Sequence, residues 1–121
     1  MSLRFLPLLF LWLPATLQAN EKPFVLTWEA WSVPRTAESL IAMPALSRAV
    51  TVLRAVPGAT LVLRYPGGDA GTLWVNELES WLVALGIPRE RLDKTPGSPD
   101  PQRIELEVSR PMVPTNGAPD A

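Results

Sequence analysis

The apolar positions of this chain change their spacing several times, and each change marks an element. In "FVLTWEAW", residues 24–31, apolar and polar residues nearly alternate, which predicts a strand with Phe24, Leu26 and Trp28 on one face. Pro34 ends it, and Thr36 is placed to cap a helix whose first turn carries Glu38 near the positive end of the dipole. Pro44 cannot donate to a carbonyl one turn back, so the pattern predicts a short first turn and then a helix with Pro44 near its start. Leu46, Ala49, Val50 and Leu53 give that helix its apolar stripe, and Pro57-Gly58 stops it.

"ATLVLRY", residues 59–65, is β-prone with apolar residues on both faces, as suits an interior strand. After "PGGD" the spacing returns to helical. Trp74, Leu78, Trp81, Leu82 and Leu85 form one stripe, with Asn76, Glu77, Glu79 and Ser80 largely opposite. Gly86 and Pro88 terminate this second long helix. "KTPGSPDP", residues 94–101, reads as a loop. In "RIELEVS" Ile104, Leu106 and Val108 point inward and Arg103, Glu105 and Glu107 outward. The order is β-α-β-α-β, which predicts a small α/β (α+β) domain whose sheet carries its helices on one face.

The ends of the chain read differently. Residues 1–19, "MSLRFLPLLFLWLPATLQA", place Arg4 before an apolar core and finish in small and polar residues, the layout of a secretory signal. The apolar core is shorter than the about 20 residues that span a bilayer. Cleavage after Ala19 would put the mature protein in the periplasm. Leu17 stands where a small residue is usual, so an uncleaved membrane anchor is the alternative. Residues 20–109 form the single domain, and residues 110–121, with three prolines and little to bury, read as a disordered tail.

Composition then removes whole classes of chemistry. The chain has 121 residues, with no Cys and no His. Disulfides, thiol catalysis, Ser-His-Asp triads and histidine metal centres are excluded, and no cofactor or metal is expected. Of eleven basic residues Arg4 leaves with the signal, so ten face twelve acidic ones and nothing attracts a nucleic-acid backbone.

The segment "YPGGDAG" sits where a phosphate loop would. It lacks the Lys that neutralises phosphate, and Asp69 would repel a pyrophosphate. A structural turn, with glycines at positive φ and Asp69 capping the helix, is the simpler expectation. Glu77 and Glu79 lie two apart on a helix and point away from one another, so they are no acid/base pair. Among the tryptophans, Trp28, Trp74 and Trp81 are expected in the core. Trp31, on the other strand face and followed by Arg35, is the candidate for an exposed aromatic at a partner surface.

Taken in combination, the helix to Ala55, "TLVLRY", "WLVALGIPRERL", "TPGSPDP" and "QRIELEV" resemble the OmpA-like peptidoglycan-binding domain, from about Ala37 to Val108. The resemblance implies that fold and a place in the bacterial envelope. It implies a ligand loop after the central strand, hence Arg64, Tyr65 and Asp69 as candidate ligand residues. The family pattern, roughly G-H-T-D followed by a helix bearing an Arg, is not kept. Asp69 falls about one position late, and Trp74 stands where the Arg belongs. A zwitterionic ligand loses its charge-assisted bonds at such a site. The expectation is therefore a non-enzymatic binding or assembly module acting on an envelope protein partner, with weak peptidoglycan binding as the alternative.

Overall fold

A computed structural model describes residues 22–111, and the signal and most of the tail lie outside the described residues. The chain enters the sheet at β1 (Phe24–Thr27) and leaves it at once into a single helical turn, α1 (Trp28–Trp31). The strand is shorter than the alternation suggests because Thr27 acts as a helix cap, its hydroxyl accepting from the Ala30 amide at 3.1 Å. Two helices follow, α2 (Ala37–Ile41) and α3 (Pro44–Ala55). Thr36 and Ser39 close a reciprocal capping box, each side chain accepting from the other's amide at 3.0 and 2.9 Å. Pro44 occupies the first turn of α3, where its missing N–H costs nothing.

β2 (Thr60–Tyr65) leads through Pro66-Gly67 into α4 (Gly68–Ala84). That helix ends in a Schellman motif, with the Gly86 and Ile87 amides donating to Val83 and Leu82 carbonyls at 3.0 Å each. A 3₁₀ turn (Arg89–Arg91) feeds β3 (Leu92–Pro96), and β4 (Arg103–Ser109) closes the domain.

β3 corrects the expected loop at residues 94–101. Leu92 to Pro96 pair in parallel with Leu61 to Tyr65, so the sheet has four strands in the order β1-β4-β2-β3. β4 is antiparallel to both neighbours. Leu106 lies opposite Phe24 on one side and Leu63 on the other. The fold class is mixed α+β, as the element order implies.

One sheet face is apolar and covered. Leu26, Leu61, Leu63, Ile104 and Leu106 are all buried there beneath Leu46, Ala49 and Leu53 of α3 and Trp74, Val75, Leu78 and Leu82 of α4. Each fully buried Leu contributes about 1.5–3 kcal/mol of transfer free energy. The other face carries Val25, Thr27, Val62, Arg64, Arg103, Glu105 and Glu107, which are exposed or half-buried. No helix of the described residues is long and apolar enough to cross a membrane.

One guanidinium holds the corner between the covering helix and the sheet. Arg91 donates from Nε to the Ala59 carbonyl and from Nη2 to those of Leu53 and Val56, all at 2.9 Å. Those carbonyls lie at and beyond the end of α3, where the regular i to i−4 ladder stops; Leu53 and Val56 otherwise accept only from the Val56 and Ala59 amides, at 3.3 and 3.1 Å.

Candidate functional site

The surface that the resemblance singles out lies where β2 ends and α4 begins. Gly68 has φ +87°, so the turn uses glycine's freedom as expected, while Gly67 is in ordinary extended backbone at φ −67°. Gly71 is buried and runs against the Pro66 carbonyl, leaving no room for a Cβ. The cap, however, is Gly67, with no side-chain bond to the helix. Asp69 does not cap α4. It stands exposed in the first turn, where its charge still favours the helix terminus.

The three candidate ligand residues are not brought together. Arg64 and Tyr65, adjacent on a strand, point to opposite sheet faces. Arg64 lies on the open face between two carboxylates, Glu107 at 3.2 Å and Glu105 at 3.8 Å, and Glu105 also meets Arg103 at 3.8 Å. Its charge is thus already shared with the sheet. Tyr65 packs against the core, and its carbonyl accepts from the Gly97 and Ser98 amides at 3.0 and 3.1 Å. The strand-end loop is in this way tied to the loop that follows β3.

The tryptophans exchange the places expected of them. Trp31 is fully buried, with 0% exposure, whereas Trp28 is 45% exposed. The cause is the helical turn at Thr27. In a strand Trp28 would follow Phe24 and Leu26 inward, but the turn rotates it out and carries Trp31 under the helices. Thr27 followed by Glu29 was the available signal for that turn. Arg35 is not a free surface cation either. It stacks over the Trp31 ring at 4.8 Å, donates from Nη1 to the Trp31 carbonyl at 2.9 Å and pairs through Nε with Glu77 at 2.8 Å.

Trp28 meets Trp74 edge-to-face, with ring centroids 5.1 Å apart and planes inclined by 80°. Its amide donates to the Gln102 carbonyl at 2.7 Å, which fixes the turn to the start of β4. Trp74 is buried at 4% exposure, and its indole N–H meets no acceptor among the described residues. The buried Trp74 ring thus supports a second, half-exposed ring.

Glu79 is a further departure from the expected pattern. It is buried at 8% exposure rather than solvated. Lys94 lies 3.0 Å and Arg89 3.2 Å from its two oxygens, and Lys94 also donates to Asn76 at 2.9 Å. Glu77 and Glu79 do diverge as expected, one to Arg35 and the other to β3. Among the described residues no group of three or more His, Cys, Asp or Glu is arranged to hold a metal ion.

The class defined by this fold and surface is a small mixed α+β domain with an aromatic strand-end surface. The chain matches no family model, no curated protein and no solved structure.

Proposed function

We propose that the protein is a non-enzymatic binding or assembly module of the bacterial envelope, working through protein contacts at the strand-end surface around Trp28. The observation that carries this reading is the Trp28–Trp74 pair. A half-exposed indole held in one orientation by a buried one loses little conformational entropy on contact, and such rings concentrate interface energy. The resemblance to the OmpA-like domain and the signal-like residues 1–19 supply the envelope and the periplasm. The test is co-purification from envelope extracts. Trp28→Ala should lose the partner while the protein stays folded at the assay temperature and unfolds in a single cooperative transition. Retention of the same partner by that variant would sink the reading.

A second reading, weak peptidoglycan binding, rests on Asp69. Its exposed carboxylate has no ion-pair partner among the described residues and stands at the end of the domain that the resemblance assigns to ligand. Purified sacculi should then retain the protein at low salt and release the Asp69→Ala variant. Equal retention of both forms, or none of either, removes it.

A further inference from the structure

A groove of about 270 Å³ opens on the helical side of the molecule, between α3 and the C-terminal end of α4, with α2 closing one end. Leu40, Ile41, Val50, Leu82, Leu85 and Ile87 supply its apolar lining. The rim residue Ile41 is 61% exposed, a large apolar side chain left in water. Little polar chemistry is free inside. The Thr51 hydroxyl already donates to the Ser47 carbonyl at 2.8 Å.

Charge singles out one end. Arg54 lies on the groove and is exposed, and its guanidinium makes a single bond, Nη2 to the Leu85 carbonyl, at 3.5 Å. Four of its five donors are unused among the described residues. The rest of α3 carries no acid, and from Trp81 to Ile87 the chain has no charged residue. The groove is therefore mostly apolar, with the Ser47 and Thr51 hydroxyls on its α3 wall, and positive at the Arg54 end. A trough between two helices suits the apolar stripe of a third, and the cation requires an acidic group beside that stripe.

We infer that this groove docks an amphipathic helical segment of another protein, one that presents an apolar stripe flanked by Asp or Glu to Arg54. The site is separate from the Trp28 surface, which lies toward the opposite end of α4.

Panning a phage-displayed library of amphipathic helical peptides on the full chain tests this. Enriched peptides should carry an acidic residue beside apolar residues at helical spacing. The synthetic peptide should shift the backbone amide resonances of Ile41, Val50, Thr51 and Arg54. Ile41→Asp, at an exposed position that leaves folding intact, should weaken binding at least about tenfold. Arg54→Glu should weaken it about fivefold and bind better the peptide in which Lys replaces the acid. Trp28→Ala should bind as wild type, so this proposal and the strand-end reading fail separately. No enrichment, shifts confined to another surface, or equal binding of acidic and neutral peptides would overturn it. So would a gain of more than about tenfold on deleting residues 112–121, which would make the chain's own tail the occupant.

Discussion

Gly71 of α4 lies against the carbonyl oxygen of Pro66, and a Cβ at that position would overlap it. The contact lets the long helix start directly over the end of β2. Gly71→Ala should destabilise the protein by about 1–3 kcal/mol, because the obstacle is backbone and cannot rotate away. Gly67→Ala is the control. Nothing lies within 4 Å of its Cβ and its φ is ordinary, so it should cost less than about 1 kcal/mol, the loss expected from Ala at a helix N-cap. Urea unfolding of both variants checks the pair, and equal effects would refute the packing argument.

Exchanging the roles of two tryptophans gives a second contrast. Trp31→Ala empties a fully buried site and removes the ring beneath Arg35, so it should cost about 3–5 kcal/mol. Trp28→Ala gives up an edge-to-face contact and partial burial, and should cost about 1–2 kcal/mol. Thermal and denaturant unfolding should rank them in that order. The reverse order would restore the strand reading of residues 24–31.

Arg91 satisfies three carbonyls with one planar group. Arg91→Lys keeps the charge but cannot reach all three, and should lose about 2–3 kcal/mol. Amide exchange should quicken first at the end of α3 and at Ala59. Uniform acceleration across the domain would mean that the residue does not act locally.

The Glu79 carboxylate ties α4 to β3 through Lys94. Glu79→Gln keeps the shape and leaves Lys94 with Asn76 and water, at a cost of about 1–3 kcal/mol. Glu77→Gln, whose side chain is 42% exposed, should change stability by less than about 1 kcal/mol. A double mutant cycle of Glu79 with Lys94 should show coupling, and additivity would count against the bridge.

How far the sequence disclosed this follows from which positions are decided locally. Thr36, Pro44, Gly86 and the stripe of α4 act within a turn of themselves, so their helices could be read directly. β4 could be read because one of its faces is apolar and the other charged. β3 could not. "LDKTP" has a single large apolar residue, and its strand exists only because β2 offers it a parallel backbone ladder. Thr27 was legible in principle, but β-prone Trp28 and Trp31 hid a four-residue turn. The candidate site suffered most, because side-chain direction hangs on that turn. The alternation puts Trp31 and Arg35 at the surface, whereas Trp31 is buried and Arg35 pairs with Glu77 of α4. Helical spacing puts Glu79 in water because it cannot see the β3 lysine.

The strand order has a consequence for how the chain is made. Among the described residues β4 is the last strand in chain order, yet it sits between β1 and β2, and Phe24 waits for Leu106 as its partner in the sheet. Until residues 103–109 are available, the one ladder open among the described strands is β2 with β3. Pairing across most of the sequence also carries a loop-closure cost that slows folding. The sheet is therefore completed in one late step, when β4 enters between β1 and β2 and supplies both of their antiparallel ladders at once.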